Sequence, residues 1–388
     1  MKILLVYGTF PPFQDGGGSY CYELYSYLTS QGHDTHVLTS SFIGNKHELE
    51  LEHNGKVHLL VDRWDLKGVF GSDRVKVKNF LQKNMFDKTI VLYPTTFVRD
   101  TSHRYILPMI FPFLRGVGSL TLLWFTPIPP KPKLIDLLAA FILTFFSSKI
   151  LSEDRGTVSL MSKIFPFFNK KITWLPIGPT MAYEKDLNKE DLRKKYNFTD
   201  DVFYLSFFGY RYPSKGVDIL LKAVERINST HTKNTKKIKI LMVGGHDSED
   251  YTEYDKKMIK LAIDLGLEDD IIYTGKIDDR IINEYLKASD LYVTPFRRIF
   301  TGRSSIVPPI YLGIPYLTSM KKDKNGPFKH KYNCYIVRPN SVESLVLGIQ
   351  EMASNESLRL TCQKNITDLT KTFNWSTSEA IMLKKNNV

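Results

Sequence analysis

The chain has 388 residues, of which 43% are hydrophobic, 24% charged and 13% aromatic. This composition excludes a largely disordered or collagen-like chain, and at about 150 residues per domain the length predicts at least two domains. Lys and Arg outnumber Asp and Glu by 53 to 41, which gives a net charge of +12. The excess favours a polyanionic partner but does not choose between nucleic acid, a nucleotide and an anionic membrane surface.

The first forty residues are predicted to form a strand, a loop, a helix and a second strand. Residues 3–7 are a continuous apolar run, which is typical of a parallel strand that is buried on both faces. A glycine-rich loop follows, and Ser19 is predicted to cap a helix that ends at Gly32. Further strands in this half are predicted at residues 35–38, 89–92 and 120–125, with helices between them.

The same alternation restarts near residue 203 and is more regular there. The predicted strands are residues 203–208, 238–243, 271–274, 291–294 and 316–318, with helices between them. Two such runs predict an α/β fold with two doubly wound, parallel-sheet, Rossmann-like domains that face each other across a cleft. The polar segment 179–201 is predicted to be a linker followed by a solvated helix.

Ligands of open α/β sheets bind at the carboxyl ends of the strands, and four loops there have unusual compositions. The first contains Gly16, Gly17 and Gly18, which would let the backbone approach a ligand closely where a helix begins. A flexible turn is the alternative. The glycines do not have the G-x-G-x-x-G spacing of a dinucleotide-binding loop.

The second loop contains Arg211 and Lys215, between a strand and a helix. A positive charge at a helix start is unfavourable against the helix dipole, so Lys215 there suggests a bound anion such as a nucleotide diphosphate. The alternative for both residues is an ordinary place on the solvated surface. A third loop, with Lys276 and Ile277, is interpreted either as a contact to a base edge or as a plain turn.

The fourth loop, residues 296–305, contains three arginines and leads into a short helix. Arg303, Ser304 and Ser305, with the amides up to Ile306 and Val307, have the composition of a phosphate cradle. A basic, solvated loop is the alternative. The acidic pair at residues 153–154, in contrast, is interpreted as solvated loop or helix-start charges.

Cysteine usage and hydropathy predict a cytoplasmic protein without a metal. The three cysteines, Cys21, Cys334 and Cys362, have no metal-like spacing, and their number suits a reducing compartment. The longest apolar run, residues 134–147, is too short to span a bilayer. The aromatic and basic region 104–133 is interpreted either as a peripheral contact with a membrane surface or as helices packed on the first sheet.

Taken in order along the chain, these features resemble a retaining glycosyltransferase of the GT-B fold, of the family 4 or group 1 type. The matching segments are Gly17-Gly18, Gly32-His33, Pro176-Ile177-Gly178, Gly209 with Lys215-Gly216, Gly244-Gly245, Ala288-Ser289-Asp290, Thr294-Pro295 and Phe373-Asn374-Trp375. The resemblance implies an acceptor-side domain over residues 1–180, a nucleotide-sugar-binding domain over 181–370 and a segment, 371–388, that crosses back to the first.

The sequence departs from that family at its usual pair of glutamates. The corresponding positions are Phe300 and Pro308, so the carboxylate that holds the ribose is missing, and an Arg-x-Ser step that begins at Arg303 stands nearby. The usual arginine of the Lys215 loop is Tyr210, for which Arg211 could substitute. No catalytic residue of the first domain is assigned.

The resemblance implies transfer of a sugar, with retention, from a nucleotide diphosphate to a saccharide or lipid-linked saccharide, in cell-surface polysaccharide or glycoconjugate synthesis. It implies that Lys215, Arg211 and Arg303, with Ser304, Ser305 and Ile306, bind the diphosphate, and that Gly245, Lys276 and Ile277 contact the nucleoside. No metal, cofactor or nucleic-acid partner is expected. The alternative is an inactive glycosyltransferase-like partner or chaperone of another transferase, suggested by the missing glutamates.

Overall fold

The computed structural model describes residues 1–13, 16–43, 52–93, 105–124, 133–184, 186–230, 232, 235–246, 252–297, 302–320 and 326–384. Contacts within the chain divide it into two compact units. The N-terminal unit comprises the described parts of Met1–Thr180 and Asn374–Val388, together with Gly302. The C-terminal unit comprises the described parts of Met181–Ile299 and Arg303–Phe373.

The N-terminal unit contains a parallel sheet of seven described strands, in the order β3-β2-β1-β4-β5-β6-β7. They are β1 (Lys2–Val6), β2 (Asp34–Ser40), β3 (Val57–Val61), β4 (Lys88–Tyr93), β5 (Ser119–Trp124), β6 (Lys149–Ser152) and β7 (Ile172–Trp174). The central strand β1 is almost wholly buried, as its unbroken apolar sequence predicts for a parallel strand that is covered on both faces.

Helices cover this sheet, and α1 begins within the glycine-rich segment. The helices are α1 (Gly16–Ser30), α2 (Leu66–Phe70), α3 (Ser72–Asn84), α4 (Leu134–Phe146) and α5 (Arg155–Ile164), with 3₁₀ turns at Leu107–Phe113 and Pro166–Lys171. The second turn of α1 buries Cys21 and Leu24 against the sheet. No helix of the described ranges is both long and apolar enough to cross a bilayer.

The C-terminal unit contains a second parallel sheet, of six described strands in the order β10-β9-β8-β11-β12-β13. They are β8 (Val202–Phe208), β9 (Lys237–Val243), β10 (Ile271–Gly275), β11 (Leu291–Thr294), β12 (Tyr316–Ser319) and β13 (Tyr335–Val337). The predicted α/β fold with two doubly wound parallel sheets is therefore confirmed.

Seven α-helices of the described residues accompany this sheet. They are α6 (Lys189–Lys195), α7 (Val217–Ser229), α8 (Glu253–Asp264), α9 (Asp279–Ala288), α10 (Pro308–Leu312), α11 (Val342–Ser354) and α12 (Glu356–Ile366). The helix α7 shows the apolar periodicity of a sheet-covering helix, since it buries Val217, Leu220, Leu221, Val224 and Ile227.

The last described helix, α13 (Trp375–Leu383), packs on the N-terminal unit. The Trp375 ring lies 5.1 Å from that of Tyr20, and its indole N–H donates to the Pro179 carbonyl at 2.8 Å. Further along α13, Glu379 accepts a hydrogen bond from the Tyr27 hydroxyl at 3.0 Å. A Cβ at Gly178 would lie 2.4 Å from the Trp375 ring, so only glycine fits beneath this indole.

Candidate functional site

The order of strands in the C-terminal unit places a topological switch point between β8 and β11. These strands are neighbours, with Leu205 opposite Leu291, yet the chain continues from β8 toward one edge of the sheet and from β11 toward the other. Loops that leave such a pair of strands diverge and open a crevice at their carboxyl ends, which is where open α/β sheets bind ligands. The loops that carry Lys215 and Arg303 follow these two strands.

Arg297 joins the two loops. Its backbone N–H donates to the Ser214 carbonyl at 3.0 Å, and its guanidinium donates to the Pro213 carbonyl at 3.1 Å. The same guanidinium forms an ion pair with Asp218, in the first turn of α7. The loop after β11 therefore fixes the position of the 3₁₀ turn that contains Lys215.

Gly216 ends that turn in a conformation that favours glycine. Its φ is 70°, and a Cβ there would lie 2.0 Å from the Pro295 carbonyl oxygen. A side chain at this position would therefore strain the backbone and also push the two loops apart. The close approach of the loops explains why the Lys-Gly step directly precedes α7.

The Lys215 ammonium points inward, although part of the side chain is exposed. Its Nζ lies 3.4 Å from the Phe208 carbonyl oxygen and 5.7 Å from the centre of the Phe207 ring. Burial, and then the nearby charges of Arg303 and Arg211, lower the pKa of Lys215 to about 7. No carboxylate of the described ranges forms an ion pair with this ammonium, so an anion is the group that would stabilise its charged form.

Arg303 adds a second cation close to Lys215. Its guanidinium stacks over the Phe296 ring at 4.8 Å, and burial lowers the pKa of Arg303 to about 10. Its Nε and the Ser305 hydroxyl are buried without a hydrogen-bond partner in the part of the chain that the structure describes. Two half-buried cations and a buried hydroxyl at a switch point have the charge and the donors of a site for an anion.

The backbone of the Arg303 loop differs from the predicted phosphate cradle. Residues Ser304–Ile306 form a 3₁₀ turn, in which the Ile306 amide donates to the Arg303 carbonyl and the Val307 amide to the Ser304 carbonyl, both at 3.0 Å. These two amides are therefore already used.

Arg211 is buried, so it is not a solvated surface residue. Its charge is paired with a carboxylate, so it is not a free cation for an anion beside Lys215. Its Nε donates to Asp255 at 2.6 Å, and the two side chains are 2% and 0% exposed. His246 and Thr252 also contact the Asp255 carboxylate, His246 Nδ1 at 3.0 Å and the Thr252 amide at 2.9 Å. The Asp255 charge offsets that of Arg211, which leaves Lys215 and Arg303 as the uncompensated pair.

The three predicted nucleoside contacts are distributed over two strand ends. Gly245 follows β9 with φ 107°, and a Cβ there would lie 3.1 Å from Arg211 Nη1. Lys276 and Ile277 follow β10, the edge strand, which is two strands from β8. The structure thus places Gly245 against Arg211, whereas Lys276 is exposed further along the edge of the sheet.

The glycine-rich segment is helical and not a loop, which corrects the prediction. The helix α1 begins at Gly16 and so includes Gly17 and Gly18, three residues before the expected cap at Ser19. A Cβ at Gly17 would lie 1.9 Å from the Tyr7 hydroxyl oxygen. The first turn therefore packs against Tyr7, and packing rather than a flexible loop accounts for glycine at this position.

The acidic pair after β6 is buried, which also corrects the prediction of solvated charges. Glu153 is 1% exposed, and burial raises its pKa well above its usual range. Asp154 caps α5 by accepting the Thr157 amide hydrogen at 2.7 Å. The sequence carries a signal for the cap but none for the burial of Glu153, because the covering side chain of Tyr20 comes from α1.

The structure bears on the predicted absence of a metal site and on the region predicted to contact a membrane. No group of His, Cys, Asp and Glu side chains within the described ranges could hold a metal ion. Of the predicted membrane region, Phe111 is buried in the core and Phe113 is exposed, while residues 104 and 125–132 lie outside the described residues.

Comparison with known proteins agrees with this fold. Two doubly wound parallel sheets in one chain are the architecture of GT-B glycosyltransferases. Residues 188–368 match the family model described as "Glycosyl transferases group 1". The match covers a little under half of the chain and contains the whole candidate anion site.

Two groups of curated proteins are similar in sequence. An uncharacterized glycosyltransferase of Methanocaldococcus jannaschii is 22% identical over 61% of the chain and 58% of its own length. A D-inositol 3-phosphate glycosyltransferase of Acidothermus cellulolyticus is 26% identical over 32% of the chain and 28% of its own length. The chain spans about half or less of the length of the curated relatives it matches.

Solved structures are similar over nearly the whole chain. Anabaena HepE, in complex with UDP and glucose, has a TM-score of 0.74 at 15% identity and covers 98% of both chains. A glycosyltransferase of Rickettsia africae has a TM-score of 0.75 at 15% identity and covers 99% of both. WaaG, a glycosyltransferase involved in lipopolysaccharide biosynthesis, has a TM-score of 0.67 at 16% identity, with 98% of this chain covered and 99% of WaaG. At these identities the likeness confirms the GT-B fold.

Proposed function

We propose that this protein is a retaining glycosyltransferase that moves a sugar from a nucleoside diphosphate to a saccharide or lipid-linked saccharide acceptor. The observation that carries the proposal is the pair of half-buried cations, Lys215 and Arg303, which have no described carboxylate partner at the switch point of the C-terminal unit. The complexes of Anabaena HepE with UDP and with UDP-glucose support a donor of this class.

In the proposed reaction the bond between the anomeric carbon and the diphosphate oxygen breaks, an acceptor hydroxyl forms the new bond, and the hydroxyl proton passes to the departing diphosphate. Negative charge develops on the departing diphosphate as the first bond breaks. Lys215 and Arg303 would stabilise that charge best in the transition state, because both are held in place and partly desolvated before the donor binds. The Ser304 and Ser305 hydroxyls are the proposed neutral donors beside them. The reaction as proposed requires no metal or cofactor.

The nucleoside would lie toward the ends of β9 and β10. We propose that backbone groups of Gly245, Lys276 and Ile277 contact it, since the position that would carry the ribose-binding carboxylate is Pro308. The Arg211–Asp255 pair supports the backbone at Gly245 and takes a positioning role in this proposal.

A titration with a panel of nucleotide-sugars tests the proposal. We expect one or a few of them to bind with micromolar to millimolar dissociation constants, and Arg303→Ala to weaken that binding by about tenfold or more, since hydrogen bonds to charged groups contribute roughly 1.5–3 kcal/mol. Calorimetry measures the affinity, and NMR of the product reads the anomeric configuration of the transferred sugar. A panel in which no member binds, or a product of inverted configuration, would contradict the proposal.

Donor binding should depend on pH through Lys215. Its pKa in the free protein is about 7, and a bound diphosphate would raise that pKa. The affinity should therefore be full below pH 7 and fall by up to about tenfold per pH unit above it, because proton uptake then accompanies binding. Calorimetry with a nucleotide-sugar between pH 6 and 9 measures this, since its diphosphate diester does not titrate in that range. Lys215→Arg should bind with a flat profile, and an equal slope in that variant would contradict the assignment.

The acceptor and the location complete the proposal. WaaG takes part in lipopolysaccharide biosynthesis, and this supports a role for the present chain in the synthesis of a cell-surface polysaccharide or glycoconjugate. A lipid-linked acceptor is held at a membrane, so we infer a peripheral location at the inner face of the membrane.

A further inference from the structure

The helix α4 has its small side chains facing the protein and its large apolar side chains facing out. Its buried residues are Ala139, Ala140, Leu143 and Thr144. Its exposed apolar residues are Leu134, Leu137, Leu138, Phe141, Phe145 and Phe146, of which Leu134 is 83% exposed and the others 43–49%. A surface helix normally buries its large apolar side chains and exposes polar ones. The reversed arrangement indicates that the outward face of α4 is covered by something else.

Neighbouring aromatic residues extend this face beyond α4. The Phe146 ring lies 5.1 Å from that of Phe113 on one side, and the Phe145 ring lies 5.9 Å from that of Phe168 on the other. Beside Phe168, the Phe167 side chain is 96% exposed. We call the exposed set the aromatic face, consisting of Leu138, Phe141, Phe145, Phe146, Phe113 and Phe167. A contiguous apolar surface of this kind marks an interaction site.

Most cations of the segments that carry the aromatic face are exposed. The described residues 105–124 and 133–174 include seven Lys or Arg and three Asp or Glu; of the cations, Arg115, Lys133, Lys163 and Lys170 are exposed, while Lys149 is buried. Two of the three acids, Glu153 and Asp154, are buried, and Asp136 accepts the Lys133 amide hydrogen at 2.8 Å in the cap of α4. At the far end of α4, Lys171 Nζ donates to the Phe145 and Ser147 carbonyls, at 3.0 and 3.1 Å.

We propose that the aromatic face docks on an anionic lipid bilayer. Aromatic and aliphatic side chains enter the boundary between headgroups and acyl chains, while surrounding lysines and arginines bind anionic headgroups. Exposed cations for this role include Lys163 and Lys170, on α5 and the adjoining 3₁₀ turn. A second copy of the chain fits less well, because a symmetric contact would bring like charges together around the apolar centre. The inference rests on the proposed lipid-linked acceptor, but vesicle binding needs neither donor nor turnover.

Flotation of the full chain with lipid vesicles tests the inference. One set of vesicles contains phosphatidylglycerol and phosphatidylethanolamine, and the other contains phosphatidylcholine alone. We expect the protein to float with the anionic set, and raised salt to weaken this binding. Phe141→Ser combined with Phe145→Ser should lower the partition coefficient by at least about tenfold, because the apolar area that enters the bilayer is removed. Lys163→Glu combined with Lys170→Glu should lower it by a similar factor.

The matched control is Leu347→Ser combined with Leu360→Ser, since both leucines are exposed on the C-terminal unit. This variant should float like the unchanged chain and bind nucleotide-sugars equally well. Absence of flotation, equal binding to both sets of vesicles, or an equal effect of the control would overturn the inference. So would a dimer, measured by light scattering, that the Phe141 and Phe145 changes dissociate. A chain that floats but binds no donor would contradict only the proposed function.

Discussion

Lys215→Ala should lower the rate of sugar transfer by about a hundredfold to a thousandfold while the C-terminal unit stays folded. Removal of one group that stabilises charge in a transition state has an effect of about this size. Lys215 is placed to have this effect, because its ammonium lies at the end of β8, feels the positive charges of Arg303 and Arg211, and has no described carboxylate partner. The ratio kcat/KM for the donor that the panel identifies, compared between the variant and the unchanged chain, measures the loss.

The control for this change is Lys222→Ala. Lys222 is an exposed residue of α7, seven positions after Lys215, and its removal changes the net charge by the same amount. Turnover by this variant should stay within about twofold of the unchanged chain, because exposed charges are screened by salt. Stability gives a second readout: a partly desolvated cation that is repelled by nearby positive charges contributes little to folding, so Lys215→Ala should unfold at a similar denaturant concentration. Normal turnover by Lys215→Ala would remove Lys215 from the site.

The sequence predicts the sheets and the cationic loops well because both have local signals. Parallel strands that are buried on both faces are apolar throughout, so the predicted strands at residues 203–208 and 291–294 correspond closely to β8 and β11. The Lys-Gly step and the Arg-x-Ser step adjoin these strands directly. Once the strand order is known, the two steps fall at one switch point, so local patterns were sufficient to place Lys215 and Arg303 at neighbouring strand ends.

The remaining features depend on residues that are distant in sequence. Arg211 and Asp255 are 44 residues apart, and nothing near Arg211 distinguishes a buried ion pair from a surface charge. The burial of Glu153 depends likewise on Tyr20, which belongs to another helix. The need for glycine at Gly17 depends on Tyr7, whose hydroxyl a Cβ there would meet. Glycine has a poor helix propensity, and tertiary packing overrides it here.

Asp255→Asn should destabilise the C-terminal unit by about 3–5 kcal/mol, the usual effect of removing one partner of a buried ion pair. The change leaves the Arg211 charge uncompensated at a position where the guanidinium is 2% exposed. It also weakens the cap of α8, since Asp255 accepts the Thr252 amide hydrogen. Equilibrium unfolding in urea measures the loss. Asp264→Asn, at the exposed end of the same helix, is the matched control and should change stability by less than about 0.5 kcal/mol.

The pH dependence of unfolding separates the charge of Asp255 from its packing. The pKa of Asp255 in the folded protein is below its usual 3.8, because hydrogen bonds from Thr252 and the nearby Arg211 outweigh the effect of burial. Its contribution to stability is therefore complete above pH 4 and is lost as the pH falls through the folded-state pKa. The stability difference between the unchanged chain and Asp255→Asn should accordingly shrink in acid.

Combined replacement by apolar residues, Arg211→Met with Asp255→Leu, should recover much of the stability that Asp255→Asn loses, since no charge is then left buried. Recovered stability without recovered donor affinity would show that the pair positions Gly245 and the Lys215 loop.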